Sequence, residues 1–268
     1  MLVRTWNLFH GNALPPRRDA YLEEMVRLVT ADRPDVLVLQ EIPVWALRRL
    51  GEWSGMQAFC EVAQPARAGP LRWPAEAGRV VTQTNHGLFR SAVTGQANAI
   101  LLAPGARALS RRRLVLNPRR FRRAQARWLG LDPVARLAWA KERRVCLAVR
   151  AAVDGRTVLV AGLHATSYPA DRRLPDAELL RAACFADELA EPDDICVLAG
   201  DFNVSGSESR TLHDLMDEAW GFSPAREGVD HILVRGAEAG PEQSWPVERR
   251  RLGELVLSDH RPVEVELS

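Results

Sequence analysis

Apolar runs of strand length alternate along the chain with segments in which apolar residues recur at helical spacing. The strand-like runs are 2–9, 36–41, 98–103, 144–153, 157–164, 195–200, 230–235 and 262–268. Helical spacing occurs at 18–32, 175–190 and 208–219. Several runs are apolar on both faces, which is typical of sheets covered on both sides. The pattern predicts an α/β protein, one domain over residues 1–268, with helices outside its sheets.

One turn is marked by its residue types. Asp154 and Gly155 separate two strand-like runs and form a strong hairpin signal. Arg156 follows them before the apolar run resumes, so we expect a loop slightly longer than two residues.

Bulk composition narrows the protein class. The chain is 47% hydrophobic and 26% charged, as in ordinary soluble globular proteins. No run approaches the roughly 18 apolar residues of a membrane span, and no hydrophobic leader region is visible. The four cysteines form no Cys-x-x-Cys pair, and three lie in apolar runs, so we interpret them as buried free thiols. These features favour a cytoplasmic protein.

The net charge of +2 hides a strong asymmetry. Residues 105–144 hold 12 arginines and one lysine against Asp132 and Glu142, a formal excess of +11. Phe121 and Trp128 lie among the arginines. Such a segment neutralises phosphates and stacks on bases or lipid headgroups, or it is a solvated arginine-rich surface. We interpret it as an insertion and leave these two interpretations open.

Polar residues recur where the apolar runs end or begin. They are Asn7, Glu41, His164, Asp201 with Asn203, Asp230 with His231, and Asp259 with His260. Any one of them alone is typical of a cap or turn. Together they predict that acids, amides and histidines share the mouth of a sheet. His10 and His231 are interpreted as local hydrogen-bonding residues.

These residue types fit one kind of chemistry. Carboxylates such as Glu41 and Asp201 are hard oxygen ligands of the kind that Mg²⁺ or Mn²⁺ prefers, and no zinc-type His/Cys cluster is present. A histidine whose tautomer is fixed by an acid can activate water. The set therefore indicates metal-assisted phosphoester hydrolysis.

Seven segments in order carry a family resemblance. They are TWNLFHG, PDVLVLQE, GQANAILL, GLHATS, LAGDFNV, VDHILV and SDHRPVEVEL, which together span residues 5–267. The set resembles the endonuclease/exonuclease/phosphatase superfamily of deoxyribonuclease I-like phosphoesterases. The resemblance implies a four-layer α/β sandwich, in which two mostly antiparallel sheets pack face to face between outer helices.

The resemblance also implies roles for individual residues. Glu41 corresponds to the metal-ligand glutamate, with Asn7 beside it and Asp259 close to the ion. Asp201 and Asn203 would orient the attacking water and the phosphate, and Asp230 would orient His260, which acts as a base or contacts a phosphoryl oxygen. The remaining implied positions are His164 on the leaving-group side, Asn98 near the site, and a phosphate-binding arginine for which Arg144 is preferred over Arg143.

The function predicted from these residues is Mg²⁺- or Mn²⁺-dependent phosphodiester hydrolysis, most simply by an endo- or exonuclease. Nucleic acid is the expected substrate, because the Arg-rich segment suits a phosphate backbone. A phospholipid or inositol phosphate is the alternative substrate class. A non-catalytic polyanion-binding protein is the alternative of another class, and no stable protein partner is indicated.

Overall fold

The computed structural model describes residues 1–17, 19–68, 71–72 and 94–268. Its helices are α1 (Leu22–Thr30), α2 (Leu50–Ser54), α3 (Arg119–Trp128), α4 (Pro133–Lys141), α5 (Arg173–Leu189) and α6 (Arg210–Met216). Its strands are β1 (Leu2–Asn7), β2 (Ala13–Leu14), β3 (Val36–Ile42), β4 (Gln57–Gln64), β5 (Arg67–Ala68), β6 (Leu71–Arg72), β7 (Gln96–Leu102), β8 (Arg107–Val115), β9 (Val145–Val153), β10 (Arg156–His164), β11 (Ile195–Asp201), β12 (Asp230–Arg235), β13 (Gln243–Ser244), β14 (Arg251–Leu252), β15 (Leu255–Leu257) and β16 (Val263–Glu266).

Two sheets form the centre of the fold. Their strand orders are β13-β16-β1-β3-β7-β4 and β12-β11-β10-β9-β8. Aliphatic side chains from both sheets, such as Val38, Ile100 and Val160, interdigitate between them. Gly162 marks the closest approach, because a Cβ there would lie 2.7 Å from Val38 Cγ1.

Helices cover the outer faces of both sheets. Met25 and Val26 of α1 pack with Leu37 and Leu39 outside the first sheet. Helices α5 and α6 cover the second sheet in the same way. Helix–sheet–sheet–helix layering confirms the predicted four-layer sandwich.

Each central sheet contains one parallel pair among antiparallel neighbours. These pairs are β1 with β3 and β10 with β11. In a parallel pair both strands end at the same edge of the sheet. The residues that follow these four strands are therefore collected at one end of the sandwich.

All eight predicted strands are present, with shifted ends. The run at 2–9 stops pairing at Asn7, and Phe9 has a positive φ of 47°. The loop between β9 and β10 is only Asp154-Gly155, because Arg156 already pairs with Val153. Both loop residues have positive φ, 47° and 79°, as a two-residue type I′ turn requires. The expectation of a longer loop was wrong.

The predicted helices are also present. The helix expected over 18–32 covers Leu22–Thr30, and residue 18 lies outside the described residues. The helix expected over 175–190 begins earlier, at Arg173. The helix expected over 208–219 is shorter: Ser209 caps its first turn by accepting from Leu212 N at 2.9 Å, and Asp217 is already extended.

The Arg-rich segment divides into two structural parts. Residues 107–115 form β8, the edge strand beside β9, so this part belongs to the second central sheet. Helices α3 and α4 form a helical hairpin, defined here as residues 119–141. Its apolar side, including Ala126 and Trp139, packs with Leu174 of α5.

All four cysteines are free. Cys146 and Cys196 are buried and Cys60 is partly buried, but Cys184 is exposed on α5, contrary to the expectation of four buried thiols. Within the described ranges, no helix combines the length and the apolar character that crossing a membrane requires.

Candidate active site

The polar residues at the strand ends meet at one end of the sandwich. Asn7 ends β1, and Glu41 is the penultimate residue of β3. His164 and Asp201 end β10 and β11 and lie opposite each other in register. Asp230 begins β12 and pairs directly with Asp201. The parallel strand pairs β1/β3 and β10/β11 thus bring Glu41 of the first sheet and Asp201 of the second to the same end of the sandwich.

Asp201 lies at the centre of this group and is 1% exposed. Its Oδ2 accepts from Asn7 Nδ2 at 3.0 Å, and its Oδ1 accepts from the Asn203 backbone N–H at 3.0 Å. Burial, followed by the charge of Asp230, raises its pKa to about 6. A carboxylate with this pKa can exchange a proton near neutral pH.

The turn after Asp201 is fixed from several sides. Gly200 has φ +140°, and a Cβ there would lie 2.0 Å from Leu163 O, so only glycine fits. Phe202 is fully buried beneath the turn. Asn203 has φ 54° and donates its amide to Ala165 O at 3.0 Å. These contacts hold Asn203 in a backbone conformation that non-glycine residues rarely adopt.

Glu41 faces Asp201 from the other sheet. Its side chain is 19% exposed, and its backbone has φ 53°. Its carboxylate lies 3.4 Å from His10 Nε2 and 3.7 Å from His164 Nε2. Burial, followed by the charge of Asp201, raises its pKa to about 7. Two carboxylates are therefore held together with little solvent, which stores electrostatic repulsion in the site.

His164 is held between an arginine and the two carboxylates. Arg144 Nη1 lies 3.0 Å from His164 Nδ1, and Arg144 Nη2 donates to Glu142 Oε2 at 2.6 Å. Burial, followed by the charge of Arg144, lowers the pKa of His164 well below its usual value. The ring is thus neutral and carries one proton. Arg144 Nη1 also lies 3.2 Å from His164 Nε2, which is 3.5 Å from Asp201 Oδ2.

His260 has the opposite charge preference. Its Nδ1 lies 2.8 Å from Asp230 Oδ2, and its Nε2 lies 3.8 Å from Asp201 Oδ2. Burial alone would lower its pKa, but the bond to Asp230 and the charges of Asp230, Asp201 and Asp259 outweigh it and raise the pKa to about 10. The ring is therefore a cation at neutral pH, with Nε2–H directed toward the site.

A serine that sequence reasoning missed anchors the His260 loop. Ser258 Oγ donates to Asn7 O at 2.7 Å and accepts from the His260 backbone N–H at 3.1 Å. Ser258 is fully buried and has φ 61°. It is the first letter of the motif SDH, so its position beside Asp259 and His260 was the available signal.

The other predicted residues surround this group, and they differ in burial. Asn98 is 3% exposed and donates to Val145 O at 3.0 Å, which links the two sheets. Asp259 lies at the exposed rim, 3.5 Å from Ser258 Oγ. Arg144 is buried at His164, whereas its alternative, Arg143, faces solvent.

Two residues were undervalued from sequence. His10 was interpreted as a local hydrogen-bonding residue, but it lies against Glu41. Glu142 was counted only as a charge, but it orients Arg144. His231 is a hydrogen-bonding residue as expected, but its partner is not local, since its Nε2 lies 3.1 Å from Val204 O, 27 residues away. The contact of His10 with Glu41 joins residues 31 positions apart and has no signature in local sequence.

The donor chemistry of the site fits a divalent cation. Ligand atoms of Asp201, Asp230 and His260 lie within 4.8 Å of one another. Protonated His260 has no lone pair for a metal, so an ion here would contact carboxylate oxygens. Glu41 adds a second carboxylate that is short of solvent and repelled by Asp201. Carboxylate and amide oxygens with a desolvated negative charge are the environment that a hard cation stabilises.

Glu178 links the loop after His164, at the edge of the candidate site, to the helical hairpin. It is fully buried, and it accepts from Thr166 N at 2.7 Å, from Thr166 Oγ1 at 2.8 Å and from Trp139 Nε1 at 2.6 Å. Thr166 follows His164 by two residues, so this carboxylate positions the loop beside the site.

We expect Glu178→Gln to lower the free energy of unfolding by about 1–3 kcal/mol. The carboxylate accepts three hydrogen bonds, and the NH₂ group of a glutamine would face at least one of those donors instead of accepting from it. Urea denaturation measures this change. Glu188→Gln, on the exposed side of the same helix, is the control and should change little. Equal effects of the two substitutions would show that the buried carboxylate does not stabilise this junction.

Solved structures share this fold over the whole chain at low sequence identity. A humanized TDP2 from D. rerio has a TM-score of 0.63 at 13% identity, covering 100% of this chain and 98% of that one. The human Nocturnin catalytic domain with bound sulfate has a TM-score of 0.65 at 15% identity, covering 100% and 93%. An endonuclease/exonuclease/phosphatase from Beutenbergia cavernae has a TM-score of 0.65 at 17% identity, covering 100% and 71%.

Sequence comparison identifies the family of the chain but no individual curated relative. No curated protein matches the chain. The endonuclease/exonuclease/phosphatase family profile, in contrast, matches residues 5–260, which confirms the resemblance carried by the seven segments. With the sandwich and its end-on cluster of acids and histidines, the match shows that the chain belongs to the endonuclease/exonuclease/phosphatase family and is a phosphoric ester hydrolase.

Proposed function

We propose that the chain is a divalent-metal-dependent phosphodiesterase that prefers nucleic acid. One observation carries the catalytic part: four titratable groups meet at one edge with pKa values pushed in opposite directions. Burial raises the pKa of Glu41 to about 7 and that of Asp201 to about 6. His164 is neutral, and His260 is a cation. Such divergence is typical of acid–base and electrostatic catalysis.

A cation fits beside the carboxylates. Glu41 would hold Mg²⁺ or Mn²⁺ as the main ligand, with Asn7 and Asp259 assisting. When bound, the ion would polarise a phosphoryl oxygen and offset the negative charge that develops in the transition state.

Asp201 is proposed as the base for the attacking water. Its raised pKa suits a proton acceptor near neutral pH. Asn7 and the backbone N–H of Asn203 each donate to one oxygen of its carboxylate. These two hydrogen bonds fix the orientation of the carboxylate and leave lone pairs free to accept the proton of water. The water oxygen forms the new bond to phosphorus while its proton passes to Asp201.

The two histidines stabilise the oxygens on phosphorus. His260, held by Asp230, donates from Nε2 to a non-bridging phosphoryl oxygen. His164, with its ring proton on Nε2, would donate a hydrogen bond to the leaving oxygen as the P–O bond breaks. The leaving oxygen then takes its proton from solvent. Preorganised donors of this kind contribute most where water is excluded.

A basic groove beside the site supports nucleic acid as the substrate. It is lined by the end of β4, including Glu61, and by Arg113, Lys141 and Arg143, next to the site residue Arg144. Arg113 is ion-paired with Glu61, so the cations left for a phosphate backbone are Lys141 and Arg143. Lys141 and Arg143 are exposed and form no ion pair with the described residues. A phosphate backbone that entered the site could continue along these cations.

Phospholipid headgroups are the second candidate substrate. The observation that favours them is the set of exposed apolar side chains on the helical hairpin, since apolar contacts suit a lipid interface.

A substrate panel tests the proposed function. Hydrolysis of bis(p-nitrophenyl) phosphate, single- and double-stranded DNA, RNA, sphingomyelin vesicles and inositol phosphates would be compared with Mg²⁺, Mn²⁺ or EDTA. We expect diester hydrolysis that needs the metal, and nucleic-acid cleavage that falls steeply with salt. Activity on vesicles alone would replace nucleic acid by phospholipid. Inactivity on every substrate would contradict the catalytic proposal and favour a polyanion-binding protein.

A further inference from the structure

Exposed apolar side chains are concentrated on the helical hairpin. Trp128 is 81% exposed, Leu137 73% and Val134 67%. Every other exposed large apolar residue in the described part of the chain is at most 44% exposed. Exposed apolar groups that cluster in this way commonly mark an interaction surface.

The hairpin holds these side chains on a packed support. On α4, Ala135 and Trp139 are buried against α5, whereas Val134 and Leu137 lie three residues apart on the opposite face. Trp139 donates to the buried Glu178, which fixes the hairpin to the rest of the fold. Helix α4 therefore exposes Val134 and Leu137 to solvent, while its opposite side is buried against α5.

The same hairpin carries unbalanced positive charge. Arg119, Arg120, Arg123 and Arg127 are exposed on α3, and none of them forms an ion pair with the residues the structure describes. Arg119, Arg123 and Arg127 line the groove between α3 and α4 together with Arg122 and Arg136. A partner that covers the whole hairpin would therefore have to be anionic as well as able to take up apolar side chains.

These two properties together distinguish between anionic partners. Nucleic acid can stack on Trp128, but Val134 and Leu137 have no π-face for a base and gain little from a phosphate backbone. A lipid interface accepts aliphatic side chains into its acyl region, a tryptophan at headgroup depth and arginines at anionic headgroups. We propose that the helical hairpin docks on an anionic lipid surface.

The hairpin is joined to the site through its buried side. Glu178 connects Trp139 of the hairpin to Thr166, and Thr166 follows His164 in the loop that borders the site. The proposal concerns attachment and does not require that lipid be the substrate.

Vesicle co-sedimentation in EDTA tests the proposal without turnover. We expect the full chain to bind vesicles that contain phosphatidylglycerol and not vesicles of phosphatidylcholine alone, with binding weakened by salt. The double substitution Trp128→Ser with Leu137→Ser should weaken binding at least about tenfold, because it removes the inserted apolar area. Arg120→Glu with Arg123→Glu should also weaken it.

Matched variants control for general effects. Leu252→Ser removes a 42% exposed leucine far from the hairpin in sequence, and Arg48→Glu reverses an exposed charge on another element. Both should bind like the unmodified chain, and circular dichroism melting verifies the fold of each variant.

Failure to bind anionic vesicles would overturn the proposal, and so would binding that survives loss of both apolar side chains. If vesicles are ignored but single-stranded DNA binds in a Trp128-dependent way, the surface serves nucleic acid instead. Because turnover is absent from this assay, the result is independent of the phosphodiesterase proposal.

Discussion

His260→Ala is expected to lower kcat for phosphodiester hydrolysis by about 10²–10³-fold. The substitution removes the cation that the structure places 3.8 Å from Asp201 and that Asp230 holds at 2.8 Å. His260 is partly exposed, so water can replace the ring and solvate Asp230. The fold should therefore persist while the charge on the phosphoryl oxygen loses its donor. Steady-state kinetics with bis(p-nitrophenyl) phosphate and Mg²⁺ would measure the change.

His213→Ala is the control for this substitution. His213 is exposed on α6 and makes no contact with the site residues described above. We expect its kcat to match that of the unmodified chain. A His260→Ala variant that stays within a few fold of normal turnover would remove His260 from the mechanism.

Glu41→Gln should separate stability from activity. Burial and the charge of Asp201 raise the pKa of Glu41 to about 7, so the folded state disfavours the carboxylate. An acid with a raised folded pKa costs stability as pH rises from its unfolded pKa toward its folded pKa, and the cost is complete above the latter. In EDTA at pH 8 the amide should thus raise the free energy of unfolding by about 1–3 kcal/mol. Near pH 4 the gain should vanish.

A divalent cation should reverse this order. Mg²⁺ bound to the folded chain stabilises it by linkage, and a chain without its main carboxylate ligand loses that effect. We expect Mg²⁺ to raise the melting temperature of the unmodified chain and of Glu52→Gln, an exposed control. The Glu41→Gln variant should show neither the shift nor hydrolysis. Equal Mg²⁺ shifts in all three proteins would place the cation elsewhere.

Local sequence predicted the central sheets because their strands are apolar on both faces. All eight predicted strands form, and the four-layer sandwich follows from the family resemblance. Strand β4 was missed because it alternates polar and apolar residues at a sheet edge. Strand β8 was missed because its arginines face solvent, so its sequence reads as a charged segment.

The site was predictable where a motif carries its own chemistry. The segments GDFN and SDH identified Asp201, Asn203, Asp259 and His260 as candidates before any fold was known. The contacts that set their charges are long-range. Arg144 meets His164 because β9 and β10 form an antiparallel hairpin about Asp154-Gly155. Ser258 ties the His260 loop to Asn7, which lies 251 residues away, and no spacing along the chain encodes that pair.

The exposed apolar face of the hairpin illustrates the same limit. The composition of residues 105–144 left open a polyanion-binding segment or a solvated surface, and it did not say which side chains face outward. The structure shows that Ala135 and Trp139 are buried while Val134 and Leu137 are exposed. The exposed aliphatic side chains favour an anionic lipid surface over nucleic acid as the partner of the helical hairpin.

The most direct test of the central claim is the rate of bis(p-nitrophenyl) phosphate hydrolysis by the unmodified chain and by Asp201→Asn. Each protein would be measured in EDTA and again after Mg²⁺ is added back. We predict that the unmodified chain is inactive in EDTA and recovers fully with Mg²⁺, and that Asp201→Asn, also inactive in EDTA, stays at least about 100-fold slower than the unmodified chain after Mg²⁺ is added back. Hydrolysis that persists in EDTA, or an Asp201→Asn variant with normal turnover, would contradict the proposed metal-dependent site.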